Sequence, residues 1–156
     1  MSTIRVQTED FNIADELALI RADAGVGAIA SFIGLVRDIN DGTGVSTLTL
    51  EHYPAMTQRA LLGIVRTAES RWRILHTTVI HRVGELKPTD QIVLVLVASA
   101  HRGDAFAACE FIMDYLKTEA PFWKKEQTPD GARWVDARES DRDAADRWNT
   151  SNTLRA

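Results

Sequence analysis

QIVLVLVASAHRGDAFAACEFIMDYLKTEAPFWKKEQT, residues 91–128, decides the fold. Its first ten residues are apolar without alternation. That predicts a strand covered on both faces and therefore central in its sheet. From 103 to 120 the period becomes helical, with Phe106, Cys109, Ile112, Met113 and Leu116 on one stripe. Pro121 ends the helix, because it lacks an N–H and its ring clashes with the preceding turn. FWKKEQT (122–128) then reads as a strand in which Phe122, Lys124 and Glu126 share one face and Trp123 and Lys125 the other. Lys117 lies four residues after Met113, at the edge of the apolar stripe. Strand, helix and strand thus set lysines on both sides of a proline turn.

The flanking chain supplies further elements of both kinds. Residues 4–8 alternate as a short strand, and Asp10 or Asn12 could cap a helix over 13–22 carrying Leu17 and Ile20 on one face. Gly25 and Gly27 break that helix. AIASFIGLVRD (28–38) predicts a long strand, with Gly34 marking a bulge or a close backbone approach. DINDGTG (38–44) reads as a turn-rich, mobile connection. A strand over 46–53 precedes a helix opened by Pro54, with Met56, Ala60, Ile64 and Ala68 on its stripe. Residues 77–86 and 91–100 predict two strands joined through 87–90. Pro129, Asp130 and Gly131 form a hairpin signal between FWKKEQT and ARWVDA (132–137), and a short helix follows Ser140. The mixed order predicts an α+β class, with helices packed on a largely antiparallel sheet. One domain over 1–148 and a flexible tail over 149–156 are expected.

Composition excludes several functions. Lys plus Arg number 18 against 22 Asp plus Glu, so the net charge of -4 argues against general nucleic-acid binding. A local cationic pocket remains compatible with it. The single cysteine, Cys109, forbids an intrachain disulfide and fits a reducing compartment. Residues 1–11 lack the apolar run of a signal peptide, and no stretch approaches the roughly 20 apolar residues that span a bilayer. A cytoplasmic protein without membrane attachment is expected.

The four histidines, His52, His76, His81 and His101, show no metal-ligand spacing, so no metal is expected. Neither a G-x-G-x-x-G turn nor a Walker-type loop is present. Cys109 sits on the apolar stripe, where a free cysteine behaves as a small hydrophobe. The lysines carry more. A partly desolvated lysine has a lowered pKa and can serve as nucleophile, Schiff-base former or acid/base. The plainer reading is that Lys117 snorkels from the helix edge and Lys124 decorates a strand. In SAHRGDAF (99–106), His101 and Arg102 stand where a strand end meets a helix N-terminus, a place that gathers anions. Arg37 closes another apolar strand.

LTLEHYPAMT (48–57), VIHRVGEL (79–86), ASAHR (98–102), FIMDYLKTEAPFWKKE (111–126) and RWVDA (133–137) together resemble the catalytic (large) subunit of molybdopterin synthase, the MoaE family. The likeness covers roughly 4–148, with the motifs in family order. It implies an α/β hammerhead fold and a homodimer within a heterotetramer. It also implies a small ubiquitin-like partner bearing sulfur as a C-terminal Gly-Gly thiocarboxylate, and cyclic pyranopterin monophosphate (precursor Z) as substrate, with no cofactor. By the same resemblance Lys117 and Lys124 are the catalytic lysines. Arg37, His101 and Arg102 belong to the substrate's anion pocket, shared across the dimer; Lys125 and Glu126 flank it, and Leu35 and Val36 line it. On this reading the turn at Pro121 folds Lys124 back toward Lys117, with Phe122 and Trp123 shielding both. Two other readings stay open: a receptor that only holds a ubiquitin-like tail, and a Schiff-base enzyme acting on a small carbonyl compound.

Overall fold

Among the described residues, ten strands and four helices follow the order β1 (Ser2–Gln7), α1 (Ile13–Arg21), β2 (Ala28–Leu35), β3 (Ile39–Asn40), β4 (Thr43–Gly44), β5 (Thr47–His52), α2 (Pro54–Arg71), β6 (His76–Arg82), β7 (Gly84–Leu86), β8 (Gln91–Ser99), α3 (Arg102–Glu119), β9 (Phe122–Thr128), β10 (Gly131–Val135) and α4 (Glu139–Ser151). This is a computed structural model, and it describes residues 1–135 and 138–151. The last two residues of the RWVDA motif, and the expected tail from 152 onward, lie outside the described residues. None of the described helices is long and apolar enough to cross a membrane.

Eight of the ten strands form two four-stranded sheets, and β3 with β4 forms a separate two-stranded one. The first has the order β1-β6-β8-β2 and the second β10-β9-β5-β7. Only β1 with β6 is parallel, so the α+β, largely antiparallel expectation holds. β8 is central, and its two faces enter different cores. Val93, Val95 and Val97 meet Leu61, Ile64 and Val65 of α2 and Ala108, Ile112 and Leu116 of α3. Leu94, Leu96 and Ala98 meet Phe11 and Ile20 on the α1 side. The unbroken apolar run of β8 is thus the consequence of having no solvent face. Val36, Leu48, Leu50, Val83 and Leu86 form a third cluster, on the second sheet.

Local signals explain most boundaries. The Asn12 side chain accepts from the Asp15 amide and caps α1. Pro54 opens α2. Gly34 stands at a register shift in β2, which meets the bulge expectation, and a Cβ there would meet the side chain of Val93 at 2.8 Å rather than a backbone.

Four expectations need correction. The strand predicted over 77–86 is two strands in different sheets, because Gly84 takes a φ of +88 and turns the chain out of the first sheet. The segment expected as a mobile connection at 38–44 is a small hairpin, β3 with β4, closed by Asp41 (φ 50) and Gly42 (φ 76). Phe106 is 66% exposed rather than buried, since β2 is the last strand and nothing covers this edge of α3. Met56 is likewise exposed, in the first turn of α2.

Candidate functional site

The seam between the two sheets opens into a cavity of about 300 Å³. β2 and the residues after it contribute Leu35, Val36 and Arg37; the β3–β4 hairpin contributes Asn40; α3 contributes Lys117; β9 contributes Phe122, Lys124 and Glu126; and the start of α4 contributes Arg138 and Asp141. Lys117 comes from the last turn of α3. Pro121 then reverses the chain, and β9 returns Lys124 alongside it. Both line the cavity, and the Lys117 charge acts on Lys124 there. The expectation that the turn at Pro121 folds Lys124 back toward Lys117 is therefore met.

Electrostatics separate Lys124 from surface lysines, while Lys117 stands exposed beside it. Burial lowers the Lys124 pKa to about 8, and the neighbouring Lys117 charge pushes the same way. Beneath them His81 stacks on the Phe122 ring at 3.8 Å and 13°. Burial holds its imidazole neutral, with a pKa lowered to about 3, although its Nδ1 lies 2.8 Å from the Arg82 carbonyl. Phe122 and the neutral His81 thus form an uncharged floor, while the Asp141 carboxylate acts on Lys124 from the cavity wall.

Glu126 is buried, with Arg133 Nε donating to it at 3.1 Å and Asn40 Nδ2 at 2.5 Å. Its charge is therefore engaged inside the wall of the cavity. The remaining ionic character facing the cavity is mainly cationic: Arg37, Lys117, Lys124 and Arg138 against Asp141. Such a site suits an anion, and its apolar walls at Leu35, Val36 and Phe122 suit a ligand with a flat or extended uncharged portion. Among the described residues no group of three His, Cys, Asp or Glu could hold a metal ion.

Not every residue named from the sequence arrives here. Lys125 points to the opposite face of β9, with its Nζ 5.7 Å from the Trp134 ring. Trp123 shares that face and packs edge-on against Tyr53 at 4.9 Å, so shielding of the lysines falls to Phe122 alone. His101 and Arg102 are exposed at the opposite end of α3. Fifteen residues of helix put Arg102 roughly 22 Å from Lys117 along the axis. Within one chain they do not meet the cavity.

Asn40, Arg133, Arg138 and Asp141 were not read from the sequence. One of them had a usable signal. The hairpin at Pro129, Asp130 and Gly131 pairs Gly131 with Thr128, and counting back pairs Arg133 with Glu126. An arginine opposite a glutamate on one sheet face is a cross-strand ion pair. Asn40 and Arg138 converge only through folding.

Comparison with known proteins points the same way. The family model described as MoaE protein matches residues 6–119. A molybdopterin synthase catalytic subunit from Ralstonia nicotianae is 66% identical over 149 residues, covering 95% of this chain and 85% of that protein. The solved MoaE protein of Burkholderia ambifaria, of molybdopterin biosynthesis, superposes with a TM-score of 0.82 at 55% identity, over 96% of this chain and 99% of that one. The fold is also shared, at a TM-score of 0.68 and 18% identity, with a chain in a complex of subunits 1 and 2 of molybdopterin-converting factor from Helicobacter pylori, over 87% and 90% of the two chains. Resting on a cationic cavity between two sheets and on these matches along most of its length, the chain belongs to the MoaE protein family.

Proposed function

We propose that this chain is the catalytic subunit of a molybdopterin synthase, a sulfurtransferase acting in the cytoplasm. It takes sulfur from the C-terminal thiocarboxylate of a small ubiquitin-like partner and places it on cyclic pyranopterin monophosphate. The observation that carries the reading is the partly buried Lys124 set beside the exposed Lys117 over an uncharged floor. An extended carboxyl-terminal tail and a phosphate ester are both anions, and both need cations that water has not fully screened.

The chemistry follows from the residues. The thiocarboxylate sulfur attacks an electrophilic carbon of the pterin side chain, an oxygen substituent leaves that carbon with the electron pair of the broken C–O bond and takes up a proton, and an acyl thioester results. Water then attacks the acyl carbon, which leaves the sulfur on the pterin and a carboxylate on the partner. Charge develops on oxygen in the tetrahedral states, and two adjacent ammoniums stabilise it without reorganisation. A lysine with a pKa of about 8 can also give and recover a proton near neutral pH.

The phosphate-binding pair His101 and Arg102 is supplied, in this proposal, by a second copy of the chain. β2 is an edge strand whose Phe32, Ile33 and Leu35 are exposed, and Phe106 of α3 is exposed as well. An apolar strand edge is a natural surface for self-association.

The decisive experiment is single-turnover conversion of precursor Z by the chain with preformed thiocarboxylated partner. The expected result is transfer by the wild type and a loss of orders of magnitude for Lys117→Ala. Lys117→Arg should stay inactive, since arginine keeps the charge but does not release a proton and demands a different geometry. Binding of the partner with no transfer by the wild type would return the chain to a tail receptor. Borohydride trapping of a small carbonyl compound on Lys117 would favour a Schiff-base enzyme.

A further inference from the structure

Two arginines at the cavity mouth share one acceptor. The Asn40 Oδ1 lies 2.6 Å from Arg138 Nη2 and 3.5 Å from Arg37 Nη2. Its Nδ2 donates to the buried Glu126 carboxylate at 2.5 Å, and its backbone carbonyl accepts from Arg133 at 3.1 Å. These contacts settle the orientation of the amide. Nδ2 must face the carboxylate and Oδ1 the guanidiniums, because the reverse would set donor against donor and acceptor against acceptor. The β3–β4 hairpin presents Asn40, and its tight turn at Asp41 and Gly42 fixes where the side chain starts. Arg138 is fixed from the other side, since its carbonyl accepts from the Asp141 and Arg142 amides at the start of α4.

We propose that Asn40 is a positioning residue that holds Arg37 and Arg138 as a paired guanidinium grip for the phosphate of the substrate. This rests on the function proposed above and assigns a positioning role to a residue far from the lysines in sequence. The choice of residue has a physical reason. A neutral amide orients two guanidiniums without neutralising them, whereas a carboxylate in its place would do both; the Asp41 carboxylate does lie near Arg138, but 3.8 Å away and largely in solvent, where an ion pair is weak and a ligand can displace it. Glu126 orients Asn40 in turn, while Arg133 engages the charge of Glu126 from the wall side.

The test is calorimetric binding of cyclic pyranopterin monophosphate to the complex with unmodified partner, with turnover measured alongside. Asn40→Ala should weaken binding about tenfold, the loss expected when hydrogen bonds to charged groups are removed. In turnover the loss should fall on KM rather than kcat. Arg138→Ala should weaken binding similarly, and the double variant should be little worse than either single one, because the two act as a unit. If Asn40→Ala is poorly folded, Asn40→Ser replaces it. A hydroxyl avoids a second carboxylate against Glu126 but is too short to hold the guanidiniums, so binding should weaken by a similar factor. Wild-type binding with Asn40→Ala within twofold of it would overturn the proposal, as would single losses that multiply in the double variant. A wild type that fails to bind this phosphate at all would instead sink the proposed function, and this inference with it.

Discussion

Lys124→Met should make the protein more stable and less active at once. Lys124 has its pKa lowered from 10.5 to about 8, first by burial and then by the Lys117 charge. A difference of about 2.5 units corresponds to an upper bound of roughly 3 kcal/mol spent in keeping the ammonium charged where it stands. The sign follows from proton counting. The folded state binds the proton more weakly than the unfolded chain. The penalty is therefore complete below pH 8, shrinks as pH rises toward 10.5, and is gone above that. Methionine has similar length and no charge, so it removes the penalty while filling the same space. Allowing for relaxation, a gain of about 1–3 kcal/mol is expected at pH 7, or about 3–9 °C in Tm for a chain of this size. Thermal melts of both proteins at pH 7 and at several values up to 10.5 are the assay, run without partner. The gap should be widest at pH 7 and narrow with rising pH, since the other titrating groups are common to both proteins. Sulfur transfer should fall in the same variant, an instance of stability traded for function. The reasoning is refuted if the methionine variant melts at or below the wild type at pH 7, or if the gap ignores pH.

Three further outcomes are expected. Deleting the last two glycines of the partner should remove most of its affinity by titration calorimetry, because the tail must reach Lys117 inside the cavity; unchanged affinity would place the tail elsewhere. Mixing a Lys117→Ala chain with an Arg102→Ala chain should restore about a quarter of wild-type transfer by random pairing of two inactive parents, as a site shared across a dimer requires; no recovery would confine each site to one protomer. Gly27→Ala should destabilise severely by thermal melt, since its Cβ would lie 2.2 Å from the Ala100 carbonyl oxygen and neither backbone can yield cheaply; a wild-type Tm would show that the two backbones can separate.

Much of this molecule is local and therefore legible in the chain. The central position of β8 followed from an apolar run too long to leave either face wet. The meeting of Lys117 and Lys124 followed from three local facts: a helical stripe, a proline that stops it, and a strand of period two. Even the Arg133–Glu126 pair could be counted from a hairpin turn. Helix and strand periodicities act over a few residues, so sequence order carries them.

The rest depended on segments distant in the chain. Asn40 reads as one polar residue in a glycine-rich turn, yet it bridges to Glu126 across 86 positions and to Arg138 across 98. His81 reads as an ordinary histidine in a strand. Packing against Phe122 is what buries it and removes its charge. Phe106 fits the buried stripe of α3 and is exposed, because β2 happens to be the sheet's last strand. His101 and Arg102 carry the chemistry of an anion site at the wrong end of an 18-residue helix. Periodicity reports which face of an element turns inward. Which neighbour waits there, and whether any does, is decided when distant elements close on one another, because burial, desolvation and charge pairing arise only from those contacts.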